Sequence, residues 1–276
     1  MGDIYSTQML MALGVGLLIT GGIAGVLAGL LGVGGGIVIV PVLFWIFDIL
    51  GVPDAVAMHL AVGTSLSTII ATSISSARAH HKRGSIDMDL LRSWAPLIFI
   101  GALAGGIAAK FIQADVLTSI FGFIALAVAV NMAVPHTLTL ADDVPRGSFG
   151  RGILPGGIGV FSALMGIGGG TLSVPILGMF SVPVHRAVGT AAAFGLVIAI
   201  PATAGFIWSG LDADLRPPWS LGYVSIPAAC LIFPISVLTA PLGSKLAHNL
   251  NPAALKRAFA VFLFITAIKM LWSVFL

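Results

Sequence analysis

The chain has 276 residues, of which 58% are hydrophobic and 8% charged, with a formal net charge of +3. Soluble domains carry about 25% charged residues, so a mean hydropathy of +1.10 excludes a water-soluble enzyme or nucleic-acid-binding module and indicates an integral membrane protein. The pI of 9.4 reflects loop arginines and lysines rather than a basic patch.

From the N-terminus, MGDIYSTQM has no basic n-region, so the first apolar stretch reads as a retained helix rather than a cleaved signal. Gly2 and Ser6 fit a myristoylation pattern, but a lipid adds little to a chain anchored by many helices. The predicted helices follow at 8–31, 37–50, 56–78, 91–111 and 116–134. A linker rich in Pro, Asp and Gly occupies 135–151, and further helices are predicted at 152–166, 171–182, 186–208, 219–244 and 256–275. Ordinary spans must satisfy their own backbone in lipid, hence helices. A full span takes about 20 apolar residues. Segments 37–50, 152–166 and 171–182 fall short of that and read as half-helices meeting near mid-membrane. Cys230 is the single cysteine, which rules out a disulfide within the monomer and any multi-cysteine metal site.

The chain repeats itself. Gly25 to Pro41 (GVLAGLLGVGGGIVIVP) returns as Gly159 to Pro175 (GVFSALMGIGGGTLSVP). His59 to Thr64 is answered by His185 to Thr190, and Leu117 to Phe121 is echoed at Leu255 to Phe259. The expected fold is therefore an all-α polytopic membrane protein with two structural repeats, 1–134 and 152–276, each a Gly-broken helix pair followed by three longer helices. Loop charge sets their orientation. Region 78–92 carries Arg78, Lys82, Arg83 and Arg92, whereas its equivalent 209–218 has Arg216 beside Asp212 and Asp214. The bias reverses in the next loops: Lys110 alone in 110–115, but Lys245, Lys256 and Arg257 in 245–257. By the positive-inside rule the repeats are inverted, with 78–92, the linker and 245–257 cytoplasmic and both termini outside.

A backbone break deep in an apolar segment is tolerated only where it is buried in protein or lines a polar cavity, and paired breaks in two repeats point to a transport site. The helices that follow Gly34, Gly35 and Gly36 and Gly168, Gly169 and Gly170 would aim free N–H groups at the centre, each end worth about half a positive charge. Such a pair favours an anion. Thr171 and Ser173 add hydroxyls to the second copy, where the first has Ile37 and Ile39. Thr64, Ser65 and Thr190 are further binding candidates. Thr64, Ser65, Ser67, Thr68, Thr72 and Ser73 form a polar stripe that reads either as a cavity wall or as helix-to-helix hydrogen bonding. Gly21, Gly25 and Gly29 have the small-residue spacing of helix packing.

His59, His185 and Arg186 are the gating or proton-coupling candidates. Both histidines read as solvated groups near an interface; His80 and His81 read as loop residues. No catalytic constellation, metal-ligand cluster, nucleotide-binding motif or cofactor signature appears, so neither catalysis nor a cofactor is expected.

The duplicated G-x-G-G-G-x4-P pattern (Gly32 to Pro41, Gly166 to Pro175), the paired A-V-G-T and the loop with Lys82, Arg83, Gly84 and Asp87 resemble the sulfite exporter TauE/SafE family over most of the chain. The resemblance implies a bacterial-type inner-membrane permease for sulfur-containing anions and organosulfonates, with uptake as well as export known among its broader members. The expected function is a secondary transporter, an exporter by preference, working by alternating access. An anion channel or an uptake permease for another small organic anion is the alternative. Its partners are a small anion, the bilayer and a coupling proton or other ion, without nucleic acid; the sequence sets no oligomeric state.

Overall fold

A computed structural model describes residues 7–32, 34–133, 140–141, 152–246 and 252–275. The Gly2 and Ser6 motif and most of the linker lie outside these residues. The helices follow the expected order: α1 (Thr7–Leu31), α2 (Gly36–Ile49), α3 (Asp54–His81), α4 (Met88–Ala108), α5 (Ala114–Ala133), α6 (Leu154–Leu164), α7 (Gly170–Met179), α8 (Val184–Ser209), α9 (Ile226–Leu246) and α10 (Pro252–Phe275). Among the described residues, six helices are long and apolar enough to cross a membrane, while α2, α6 and α7 are shorter apolar pieces.

Each start and break has a local cause. Asp87 accepts the Leu90 N–H at 3.0 Å and caps α4. Pro53 and Pro183 precede α3 and α8, fixing the backbone at the turn. Pro41 and Pro175 stand at matching places inside α2 and α7, where each removes one helical hydrogen bond.

The packing is reciprocal between copies. α1 lies along α9 and α6 along α4; α3 packs on α8, and α5 on α10. A side chain on Gly21, Gly25 or Gly29 would strike the α9 backbone at Ile232, Ser236 or Ala240, so these glycines serve close helix contact. Gly101, Gly105 and Gly159 do the same between α4 and α6. α3 and α8 form the centre, 78% and 72% buried over their most apolar windows against 28% for α1 and α9. They run antiparallel: Gly63 lies against Phe206, Ser73 against Gly195, and Ser85, beyond the end of α3, against Gly189.

The two ends of the bundle are tied differently. At one end Lys110 and Asp212 form a 2.9 Å ion pair, with Lys110 also 4.9 Å from the Trp208 ring centroid. At the other Arg83 donates to Ser244 O at 2.9 Å.

One expectation is corrected here. Residues 219–225, expected to open the helix 219–244, instead form a small hairpin, β1 (Ser220–Leu221) and β2 (Val224–Ser225), and α9 begins at Ile226. Trp219 and Gly222 adopt positive φ (63 and 55), which turns the chain back on itself. Gly222 sits hard against the Ile207 backbone, where no side chain fits. So short a hairpin needs tertiary support, and α3 supplies it.

Candidate functional site

Both glycine breaks are real, and they meet. α2 begins at Gly36 after Gly34 and Gly35, whose φ values of 71 and 78 are left-handed and suit glycine. α7 begins at Gly170. A Cβ on Gly34 would lie 3.0 Å from Gly168 Cα, and one on Gly36 would lie 3.0 Å from Ile167 Cα, so the two turns touch backbone to backbone. The described residues of both turns, Gly34 to Gly36 and Gly166 to Gly170, are all buried. Ser65 of α3 donates to Gly166 O at 2.7 Å and pins the second turn to the first copy.

The first four N–H groups of a helix lack intrahelical partners, so the starts of α2 and α7 both bring donors and partial positive charge into the interior. Their surroundings differ. Thr171 and Ser173 of α7 are 2% and 0% exposed with no hydrogen-bond partner, and Ser73 of α3 is likewise buried and unpartnered. A buried hydroxyl left unpaired costs about 1–3 kcal/mol, which a bound polar solute would offset. The equivalents in α2, Ile37 and Ile39, are fully buried and apolar.

The paired threonines have found partners. Thr64 Oγ1 accepts the Ser225 N–H at 2.9 Å, and Thr190 Oγ1 accepts the Asp87 N–H at 2.9 Å. Each therefore anchors the segment just before the fourth helix of the other copy, α9 or α4. Gly63 and Gly189, one residue earlier, lie against the carbonyls of Tyr223 and Ser85 in the same two segments. Of the polar stripe on α3, Thr72 also joins helices, bonding Ser236 Oγ at 2.8 Å, and beyond the stripe Ser75 donates to Val237 O at 3.1 Å and Ser76 to Ala28 O at 3.2 Å. Ser67 and Thr68 bond back along their own helix.

The histidines separate. His59, expected to be solvated, is 3% exposed; its Nε2–H donates toward Ala109 O at 3.1 Å and Ile112 O at 3.0 Å. Its ring lies 4.8 Å from that of Tyr223, and Nδ1 has no hydrogen-bond partner. α3 starts five residues earlier, at Asp54, which carries His59 beneath the α4–α5 turn. His185 and Arg186 are exposed in the first turn of α8, outside the buried glycine turns. His80, expected in a loop, is buried in the last turn of α3 with Nε2 3.1 Å from Gly29 O.

A model of the family described as "Sulfite exporter TauE/SafE" matches residues 17–270. The chain belongs to the sulfite exporter TauE/SafE family. Its TauE/SafE relatives include a "probable membrane transporter protein" of Haemophilus influenzae, 37% identical over 92% of this chain and 96% of the relative. Another, from Methanocaldococcus jannaschii, is 35% identical over 87% of this chain and 88% of the relative. A third, YunE of Bacillus subtilis, is 30% identical over 63% and 71%. No solved structure matches the chain. With six apolar spans among its described residues, this TauE/SafE protein is a multi-pass integral protein of the inner membrane.

Two residues beside the TauE/SafE glycine turns escaped the sequence reading. Ser73 was visible only as one member of a polar stripe, and Gly195 carried no signal within its own helix. Aligning the copies would have exposed both: counting from His59 and His185, Gly195 stands opposite Ile69, and Ser73 opposite Ala199.

Proposed function

We propose that the protein is a secondary transporter, preferentially an exporter, of a small sulfur-containing anion such as sulfite or an organosulfonate. The observation that carries this reading is the contact between the two buried glycine turns, at which two helix N-termini open inside the bundle. Backbone N–H groups at such an end bind oxyanions without needing a fixed cation. The binding set is Gly34, Gly35, Gly36, Gly168, Gly169, Gly170 and Thr171. Ser65 acts on it by holding Gly166, while Thr64 and Thr190 act at one remove by seating the opposite copy.

The two copies are inverted in the membrane and exchange access by rocking against each other. Support comes from the antiparallel α3 and α8 and from the exchanged pairs α1 with α9 and α6 with α4. The Lys110–Asp212 pair and the Arg83–Ser244 bond link the copies at opposite ends, where alternate opening would break one and keep the other. A proton or another ion couples the movement, with His185 and Arg186 at the mouth of α8.

Proteoliposomes holding the purified chain test this directly. Saturable sulfite or sulfoacetate efflux that accelerates when unlabelled anion is placed on the opposite side is the expected result. Flux that rises linearly with concentration and shows no counterflow would instead identify a channel. Loss of sulfite and sulfoacetate flux with carboxylate flux retained would move the substrate class to organic acids.

A further inference from the structure

The two glycine turns share a sequence but differ in backbone and in cover: Gly34 and Gly35 are left-handed, whereas Gly169 has a right-handed φ of -55. Over the first turn lies Ile69 of α3: its Cγ2 is 3.2 Å from a Cβ placed on Gly34, and its Cδ1 is 2.8 Å from one placed on Gly36. Ile69 is fully buried. At the equivalent place in α8 stands Gly195, which brings no side chain to the second turn. A methyl group there would lie 3.7 Å from Gly169 N and 2.5 Å from Ser73 Oγ, so the amide and the hydroxyl face one small region from opposite elements. Ser73 is 1% exposed and has no hydrogen-bond partner. Its counterpart in α8, Ala199, has no hydroxyl to offer.

We infer that the anion site is single and asymmetric: Ser73 of the first copy and the first turn of α7, Gly169 to Thr171, form the oxyanion subsite, with Gly195 kept bare to leave it room. This rests on the transport reading above and specifies which half of the paired turns takes the charge. The ten-residue α7 supplies N–H donors and its positive end; Ser73 and Thr171 supply O–H donors that the protein leaves unused. The first turn, covered by Ile69 and followed by the buried apolar Ile37 and Ile39, is the dry face against which the second turn closes. A ligand with several negatively charged oxygens on one centre, sulfite or a sulfonate, can take donors from α3 and α7 together. The backbone N–H groups and the positive end of α7 favour an anion over a cation, and the rotatable hydroxyls of Ser73 and Thr171 can turn to donate to it.

The test is equilibrium binding of sulfite and of sulfoacetate to the purified full chain in nanodiscs, by titration calorimetry, with thermal stability read in parallel. One anion per chain is expected. Ser73→Ala should weaken binding about tenfold, the loss of one hydrogen bond to a charged group, and leave the folded protein intact. Gly195→Ala should abolish binding by filling the subsite and crowding Ser73. The double variant Ser73→Ala with Gly195→Ala removes that crowding, so its stability should return while binding stays lost; recovery of binding would overturn the proposal. The mirror variant Ala199→Ser should bind as the parent does. Unchanged affinity in Ser73→Ala, with binding lost in Gly169→Val, would overturn the asymmetric subsite and leave the glycine-turn reading standing. Absence of binding of either anion by the parent chain would overturn both.

Discussion

Thr190 in α8 accepts the backbone N–H of Asp87 at 2.9 Å, joining the second copy to the loop that launches α4 in the first. The same bond recurs with the copies exchanged, from Ser225 N–H to Thr64. Two hydroxyls that look like ligands in the sequence thus hold the copies together. Replacing either by valine keeps the side chain's shape and leaves a buried or half-buried N–H unpaired, at a cost of about 1–3 kcal/mol. Thr64→Val and Thr190→Val should both lower the melting temperature of the purified protein, and Thr→Ser at either position should recover most of the loss. Full stability in both valine variants would remove the anchoring role.

The glycine turns are predicted to be intolerant of any side chain. Gly35 has φ 78 and a Cβ there would come within 2.6 Å of Ala24 O; at Gly169 it would lie 2.7 Å from Phe194 Cβ. Gly35→Val and Gly169→Val should abolish anion binding while the protein still inserts in the membrane, as read by sulfite titration and membrane fractionation. Parent-like affinity in both variants would refute a site at these turns.

Helix packing between α1 and α9 predicts a different phenotype. Gly29 meets Ala240 and lies with its absent Cβ 2.8 Å from Ser244 N. Gly29→Val forces α1 from α9, and overpacking of this kind costs about 1–3 kcal/mol or more. The expected result is lower thermal stability with sulfite affinity retained in the fraction that stays folded, the reverse of Gly169→Val.

The ion pair at the loop end carries a pH signature. The Lys110 ammonium hydrogen-bonds Asp212, and the bond, then the charge, holds that carboxyl below the usual carboxylate range. A carboxyl depressed on folding contributes stability at pH values above its unfolded pKa and loses it as the pH falls through the folded one. Asp212 is fully exposed, so the effect is small and weakened by salt. The difference in melting temperature between the parent and Asp212→Asn should be largest above the carboxylate range at low salt. It should shrink toward zero on acidification. A difference that does not change with pH would assign the variant's effect to something other than this pair.

Legibility differed between the elements and the site. Helices α1 to α8 fall close to the predicted segments because lipid leaves the backbone few alternatives and the apolar runs are long. The hairpin at 220–225 was hidden because Ser220, Leu221, Val224 and Ser225 are no less compatible with a helix; Gly222 against Ile207, and Thr64 accepting from Ser225, decide it. His59 and His185 look equivalent in the repeat, yet one is enclosed by Ala109, Ile112 and Tyr223 and the other faces solvent. A duplicated sequence sets neither equal neighbours nor, at the turns, equal backbones: Gly35 has φ 78 and Gly169 has φ -55.

By itself, the sequence determined the membrane habitat, the duplication, the two broken helix pairs and the family, since hydropathy, glycine triplets and motif spacing are properties of the chain read in order. Only the tertiary structure decided that Gly34 rests on Gly168, that Thr64 and Thr190 bind the opposite copy's backbone, and that Ile69 covers one turn while Gly195 leaves the other bare. These are contacts between residues roughly a hundred positions or more apart, or choices of what fills the space between them, and packing of the whole bundle sets both.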